Sequence, residues 1–135
     1  MINNIQYTTS YRNVIDINEL VGKVFTRIEK LGNEALQFFT KDTQYLMFHL
    51  QDCCEDVYLE DVVGNFADLL NTPILQAYET SNGGEQEYGT FTWTFYTFVT
   101  FNGCVTLRWY GESNGYYSEE VTIVHLPLSF EPNNV

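Results

Sequence analysis

Arg108 is the residue of this sequence whose type and position most directly suggest binding chemistry. It is the only Lys or Arg after Lys41, and it lies in a run rich in β-forming and aromatic residues. A lone guanidinium in such a setting requires an anion, either a carboxylate of the protein or an acidic group of a ligand. Because a guanidinium grips phosphate in a fork and an aromatic ring stacks on a base, the pattern favours a compact site for a phosphorylated, aromatic ligand. The 18 Asp and Glu residues leave an internal salt bridge as the open alternative.

The hairpin that must position Arg108 is predicted from Asn102-Gly103, which lies between two alternating runs of β-forming residues. Such a pair is typical of a two-residue turn, and that turn predicts pairing of Phe101 with Cys104 and of Thr97 with Arg108. The predicted core face of the hairpin carries Tyr96, Phe98, Val105, Leu107 and Trp109. The opposite face of the hairpin carries Trp93, Phe95, Thr97, Val99, Thr106, Arg108 and Tyr110.

Other potentially reactive residues give weaker signals. His49, Asp52, Cys53, Cys54 and Glu55 are metal-ligand types close in sequence, yet their spacing matches no zinc pattern, and we expect no metal. Asp52 followed three residues later by Glu55 instead predicts a helix cap. No nucleophile motif and no phosphate-cradling glycine motif is present, so we expect no catalytic residues and no cofactor; a nucleotide hydrolase stays open as an alternative.

The three cysteines are expected to be reduced thiols, most of them buried. Cys53 and Cys54 are adjacent, and neighbouring cysteines rarely bridge because the disulfide geometry is strained. The third, Cys104, makes the count odd, so that the cysteines form no closed framework.

Composition limits the classes of protein to which this chain can belong. A chain of 135 residues suits one domain, predicted over 1–135, and its net charge of −12 disfavours binding to nucleic acid or to anionic membranes. No apolar stretch approaches the roughly 20 residues of a membrane span, and the amino end does not resemble a secretory signal, so we expect a cytosolic protein. The acidic run Asp52–Asp68 also admits an inhibitor that imitates the charge of DNA and binds a host protein.

The predicted fold class is α+β, a mostly antiparallel sheet of about six or seven strands with one amphipathic helix packed on it. The helix is expected over 52–70, interrupted near Gly64, because apolar residues recur there at spacings of three and four. A three-stranded meander is predicted within 24–50, a capped turn at 18–22, a strand over 74–80, a mobile loop over 81–87 and a closing strand over 121–126. Residues 1–12 are expected to be loosely ordered.

Several motifs together resemble a family of small phage and prophage proteins catalogued as a domain of unknown function. The likeness covers most of residues 20–124, and its most specific part is Arg108-Trp-Tyr-Gly-Glu-Ser-Asn-Gly-Tyr-Tyr-Ser118. The other motifs are Gln51-Asp-Cys-Cys-Glu55, Leu59-Glu-Asp-Val62, Thr72-Pro-Ile-Leu75 and Thr92-Trp-Thr-Phe-Tyr96. The chain also looks like the first type of phage anti-Thoeris protein.

That resemblance implies a sponge, which sequesters a cyclic ADP-ribose isomer or a related cyclic nucleotide signal in the cytoplasm of the infected bacterium without cleaving it. It also implies a homo-oligomer, either a dimer or a hexamer. Arg108 and Arg27 would then grip the phosphates of the ligand, and Asn114 would hydrogen-bond to ribose or base. The stacking ring would come from Phe95, Tyr110, Tyr116 or Tyr117, among which the sequence does not choose.

Overall fold

The computed structural model describes residues 13–132, which form a nearly all-β protein. The strands are β1 Val14–Ile15, β2 Arg27–Leu31, β3 Ala35–Phe39, β4 Thr43–Phe48, β5 Asp56–Val63, β6 Gln76–Gln86, β7 Gly89–Thr100, β8 Gly103–Ser113 and β9 Thr122–Pro127. The helical segments within 13–132 are two 3₁₀ turns, Ile17–Leu20 and Phe66–Leu69. The α+β prediction is therefore wrong.

The strands form two antiparallel sheets rather than the single sheet predicted. One sheet has five strands in the order β1-β9-β4-β3-β2, and the other has four in the order β5-β8-β7-β6. The predicted meander is confirmed as β2-β3-β4. The closing strand β9 is also confirmed, but it pairs with β1 and β4, across the molecule from β8.

The main core lies between the two sheets. Alternation along each strand directs every second side chain inward, because successive side chains of a strand point to opposite faces. The buried strand residues of this core are Leu36, Phe38, Tyr45, Met47, Leu59, Ala77, Tyr96, Phe98, Val105, Leu107, Trp109 and Ile123. The core face predicted for the β7–β8 hairpin is confirmed in full, since all five of its residues are in this cluster.

The helix predicted over 52–70 is wrong, and a β-bulge explains the error. β5 pairs with β8 in a register that shifts between Leu59 and Asp61. Because a bulge inserts one extra residue, Leu59 and Val62 both pack toward the core although they are three residues apart. That spacing of three imitates a helical face. The 3₁₀ turn at Phe66–Leu69, with Asn65 as its N-cap, is the only helical part of this region.

The mobile loop predicted over 81–87 is also wrong, because β6 continues through it to Gln86. Gly83 lies opposite Thr92 and Gly84 opposite Phe91 in the ladder with β7. A Cβ atom built on Gly83 would lie 2.5 Å from the carbonyl oxygen of Phe91. This glycine therefore permits close approach of two strands, whereas the sequence had suggested flexibility.

The hairpin register differs from the prediction by two residues. Thr100 pairs with Gly103, so Thr97 lies opposite Thr106 and Phe95 lies opposite Arg108. The Thr100 hydroxyl accepts a hydrogen bond from the Asn102 N–H at 3.1 Å and donates one to the carbonyl oxygen of Asp68 at 2.5 Å. These bonds place the turn one residue earlier than Asn102-Gly103. A shift of two keeps every side chain on its predicted face, because the side-chain period of a strand is two.

The amino-terminal turn agrees with its prediction. Asp16 and Glu19 form a capping box around the 3₁₀ turn, in which the Asp16 N–H donates to Glu19 Oε2 at 2.9 Å. Gly22 follows with a φ of 88°. The prediction for residues 1–12 lies outside the described residues. Between residues 13 and 132 there is no helix of sufficient length and apolarity to cross a membrane.

Candidate functional site

The outer face of the four-stranded sheet carries a group of aromatic side chains that we call the aromatic platform. Its members are Tyr58 of β5, Phe91, Trp93 and Phe95 of β7, and Tyr110 of β8. All five are partly buried, and the strand residues next to them point to the opposite face of the sheet. The strands therefore hold these rings side by side on the outside of the protein.

Contacts between the rings make the platform continuous. Tyr110 lies at its centre, with ring centroids 4.7 Å from Trp93, 5.9 Å from Tyr58 and 6.5 Å from Phe91. Trp93 is 6.4 Å from Phe95 in a nearly parallel arrangement. A shallow depression of about 450 Å³ lies over four of the rings, those of Tyr58, Phe91, Trp93 and Tyr110, and is also bordered by Glu60 and Gln86. Such a surface suits a flat, partly apolar ligand.

Arg108 borders the platform and is held by two carboxylates of the protein. Its Nε donates to Glu60 Oε2 at 2.6 Å, and its Nη2 lies 3.5 Å from Asp61 Oδ2. The hydrogen bond that Arg108 donates to Glu60 raises the pKa of the guanidinium, which stays charged. The bulge in β5 explains why two consecutive acids reach one arginine, because it disturbs the usual alternation of faces.

The guanidinium also lies near the stacking surface. The Cζ atom of Arg108 is 5.8 Å from the centroid of the Trp93 ring. An anionic group of a ligand that stacked on Trp93 would therefore meet Arg108, and it would compete with Glu60 for the Nε–H. The internal salt bridge that the sequence left open is thus present, and the arginine nevertheless stays beside the platform.

The rim of the platform supplies hydrogen-bond acceptors. Glu112 accepts from the Tyr110 hydroxyl at 3.0 Å and from Gln86 Nε2 at 3.3 Å. Partial burial, together with the neighbouring Glu112, raises the pKa of Tyr110, which therefore stays a hydrogen-bond donor. The carboxylates Glu60 and Glu112 can accept hydrogen bonds from amino or hydroxyl groups of a bound ligand.

The structure brings only some of the sequence-predicted site residues together. Arg108, Phe95 and Tyr110 share the platform. Arg27 lies on the outer face of the other sheet, where its guanidinium is 4.0 Å from the ring centroid of Phe39. Because the core separates the two outer faces, Arg27 and Arg108 of one chain do not contact the same small ligand.

The remaining predicted residues follow β8 in a turn. The Asn114 side chain accepts a hydrogen bond from the Tyr116 N–H at 2.9 Å. The rings of Tyr116 and Tyr117 meet edge to face at 5.0 Å. These three residues stand apart from the aromatic platform, and Tyr117 lines a different cavity.

That second cavity, which we call the acidic cleft, has a volume of about 800 Å³. It lies where β1 and β9 of one sheet approach the ends of β6 and β7 of the other. Its described lining contains no Lys or Arg and includes five carboxylates, namely Asp16, Glu79, Glu85, Glu119 and Glu120. The cleft therefore disfavours phosphate.

Glu119 shows how the acidic cleft keeps its charge. Its carboxylate accepts hydrogen bonds from the hydroxyls of Thr90 at 2.6 Å, Thr92 at 2.7 Å and Ser113 at 2.6 Å. Burial by itself raises the pKa of this group, but the three hydroxyls outweigh burial and leave the pKa below its ordinary value. Glu119 is therefore ionised at neutral pH.

The cluster between β4 and β5 differs from its prediction. Cys53 and Cys54 are exposed and joined by a disulfide, and Cys104 is a free exposed thiol, so the prediction of reduced and mostly buried thiols is wrong. Asp52 and Glu55 do interact, but a strand follows them where the sequence predicted a helix.

Within residues 13–132 there is no group of three or more His, Cys, Asp or Glu side chains arranged to hold a metal ion.

Sequence reasoning missed three members of the platform as stacking residues. Trp93 was placed on the correct face without a role, Phe91 was left unassigned, and Tyr58 was assigned to the false helix. Continuing the strand alternation of Phe95 and Trp93 back to Phe91 would have found the second of these. Tyr58 could not be found without the pairing of β5 with β8.

The two facing sheets and the open aromatic surface define an all-β protein with a surface suited to binding. The chain belongs to the family described as Domain of unknown function (DUF7448), whose model matches residues 18–123. This range agrees closely with the likeness to an uncharacterised domain family noted from the motifs. Neither a curated protein nor a solved structure matches the chain.

Proposed function

We propose that this protein is a binding protein that sequesters a small nucleotide on the aromatic platform without cleaving it. The observation that carries the proposal is the set of five partly exposed rings that Arg108 borders. Stacking of a base on such rings contributes about 1–3 kcal/mol per base, and an adjacent guanidinium adds recognition of one phosphate group. The acidic surroundings favour a ligand with few phosphates over a long polyanion.

The motif resemblance supports a particular ligand class, a cyclic ADP-ribose isomer or a related cyclic nucleotide. In this proposal the protein is a phage anti-defence sponge of the anti-Thoeris type, and it removes an immune signal from solution by binding it. Adenine would stack on Trp93 and Tyr110. One phosphate would displace Glu60 from the Nε of Arg108, while the rim carboxylates accept hydrogen bonds from the amino and ribose hydroxyl groups.

Equilibrium dialysis against cyclic ADP-ribose isomers, followed by chromatography of the ligand, tests the proposal. We expect depletion of the free nucleotide and recovery of unchanged nucleotide after the protein is denatured. A free nucleotide concentration that does not fall at excess protein would refute sequestration. Recovery of a cleaved product would identify a hydrolase instead.

Two variants locate the site. Trp93→Ala removes a stacking ring, and Arg108→Ala removes the guanidinium, so we expect both to weaken nucleotide binding. Tyr88→Ala is the matched control, because Tyr88 is an aromatic residue that is 85% exposed and outside the platform. Binding that survives both changes would move the site away from the platform.

The acidic cleft favours a second candidate, an acidic inhibitor that binds a basic surface of a host defence protein. Its five carboxylates and its lack of a described basic residue suit a Lys- or Arg-rich partner. This candidate predicts binding that weakens with added salt and does not change in Arg108→Ala. Arg108→Ala therefore distinguishes the two candidates, because it weakens binding in the first and leaves binding unchanged in the second.

A further inference from the structure

The loop between β4 and β5 carries a pair of sulfur atoms that neither proposed binding surface uses. Cys53 and Cys54 form a disulfide within this loop, and both residues are exposed. A disulfide that is open to solvent can be reached by an external thiol, whereas a buried one is protected.

The carboxylate of Glu55 contacts the backbone of this loop through hydrogen bonds that do not involve the sulfur atoms. The Glu55 side chain has no exposed surface. Its Oε1 accepts a hydrogen bond from the Cys53 N–H at 2.9 Å, and its Oε2 accepts one from the Asp52 N–H at 2.8 Å. The Gln51 side chain donates to the Glu55 carbonyl oxygen at 2.7 Å and closes the loop.

His49 fixes that carboxylate to the rest of the fold. Its Nε2 lies 2.7 Å from Glu55 Oε2, and its Nδ1 lies 2.6 Å from the carbonyl oxygen of Glu120. The two contacts fix the orientation of the ring between these two oxygen atoms. Because Glu120 precedes β9, this pair ties the cysteine loop to the five-stranded sheet. None of these contacts uses a sulfur atom, so opening the disulfide removes none of them directly.

We propose that Cys53–Cys54 is a reversible thiol–disulfide exchange site whose co-reactant is a small monothiol. A thiolate attacks one Sγ and forms a mixed disulfide, while the other sulfur leaves as a thiolate and takes up a proton. A second monothiol then cleaves the mixed disulfide. Two external thiols are oxidised to one disulfide, and the protein gains two electrons and two protons as two cysteine thiols.

Alkylation with iodoacetamide, read by peptide mass spectrometry, tests this site in the full chain. The protein is prepared without added thiol or disulfide reagent, and Cys104 serves as the internal reference because it is a free exposed thiol. We expect label on Cys104 alone before reduction, and label on Cys53 and Cys54 as well after reduced glutathione is added to the folded protein. Subsequent treatment with oxidised glutathione should remove the reactivity of Cys53 and Cys54 without adding the mass of glutathione to either residue. Label on either vicinal cysteine before reduction, or a disulfide that opens only in denaturant, would overturn the proposal.

Two variants test whether the stability of the protein depends on the disulfide or on Glu55. The double change Cys53→Ser and Cys54→Ser should keep the melting temperature close to that of the parent protein, whereas Glu55→Ala should lower it clearly. A double-serine protein that melts as low as Glu55→Ala would show that the disulfide is a structural brace, and it would refute a reversible exchange site. Nucleotide binding is a separate readout that these outcomes leave unaffected.

Discussion

The two sheets share one core, yet their outer faces are built in opposite ways. The outer face of the five-stranded sheet carries a second apolar cluster, in which Leu46, Phe48 and Val124 are at most 1% exposed. The outer face of the four-stranded sheet leaves the five rings of the platform partly open. The fold itself does not require an open aromatic face, because the outer face of the five-stranded sheet is covered by its own apolar cluster. The open face therefore points to binding, because exposed aromatic patches mark interaction surfaces.

The closed face is completed by residues after β9. Gln44 is fully buried, and its Nε2 donates to the carbonyl oxygens of Pro127, Leu128 and Phe130 at 3.1, 3.2 and 2.7 Å. Phe130 packs against the apolar cluster. On the platform, Gln86 occupies an exposed position and bonds to the rim acid Glu112. Gln44 thus anchors the segment after β9 to the five-stranded sheet, whereas Gln86 borders an open depression on the four-stranded sheet.

Phe48→Ala should have the largest effect on stability. Phe48 is 1% exposed, so its truncation leaves a cavity in the closed face and should lower the free energy of unfolding by about 3–5 kcal/mol. Phe95→Ala makes the same chemical change on the open face and should cost much less, because its ring is already partly in water. Urea denaturation of both variants measures the difference. Equal losses of stability in the two variants would contradict the contrast between the closed and the open outer faces.

Trp93→Ala should have the largest effect on nucleotide binding. Loss of one stacking ring should weaken affinity by about tenfold to a hundredfold, while the fold remains intact. Isothermal titration with a cyclic ADP-ribose isomer measures the change, and Phe48→Leu provides a control on the closed face. Weakening of equal size in the control would indicate a global effect.

Gln44→Ala tests how strongly the segment after β9 is anchored to the five-stranded sheet. The change removes the donor of three partly buried carbonyl groups and the acceptor of the buried Gln37 side chain, and it should lower the free energy of unfolding by about 1–3 kcal/mol. Gln86→Ala is the matched variant on the open face, where water replaces the lost bond and little change is expected. Chemical denaturation distinguishes them, and a larger loss in Gln86→Ala would contradict the account.

The buried carboxylate of Glu55 should control stability in acid. Burial works against its ionised form, yet hydrogen bonds from the Asp52 and Cys53 N–H groups and from His49 lower its pKa from 4.5 to about 2. Because folding lowers this pKa, the ionised Glu55 carboxylate stabilises the folded protein above pH 4.5. This contribution is lost as the pH falls toward 2. Glu55→Gln should therefore be less stable than the parent at pH 7, with a shallower decline between pH 4.5 and 2. The exposed Glu85→Gln should keep the parental slope, and a parental slope in Glu55→Gln would exclude this role.

Glu60→Gln should have the smallest effect, and its direction is informative. The variant weakens the hold of β5 on Arg108 and removes one negative charge next to the guanidinium. We expect nucleotide affinity to rise by a few-fold, since the phosphate no longer competes with a carboxylate. Titration against the Asp56→Asn variant controls for net charge. An unchanged or lower affinity would show that Arg108 does not receive the phosphate.

The faces of the central hairpin could be predicted from the sequence, although its turn could not. Alternation placed Trp109 inside and Arg108 outside, and this assignment survived a register error of two residues because the period of a strand is two. The turn itself depends on the Thr100 hydroxyl and its bond to Asp68, which is distant in sequence. A pattern of adjacent residues does not contain that contact.

The region from 52 to 70 could not be predicted, for a related reason. The bulge after Leu59 gives a strand the apolar spacing of a helix, and only its partner β8 shows that it is a strand. The error hid Tyr58, and it also hid the carboxylates that hold Arg108.

Tryptophan fluorescence gives the most direct test of the claim that the open aromatic face binds the nucleotide. The chain has two tryptophans, and Trp109 is 1% exposed in the core whereas Trp93 lies on the platform. Acrylamide should quench Trp93 in the free protein, and a saturating cyclic ADP-ribose isomer should protect it. The Trp93→Phe variant should lose the protected signal and keep the unquenched emission of Trp109. Trp93 quenching that stays the same while dialysis shows the nucleotide to be bound would contradict the account and place the ligand elsewhere.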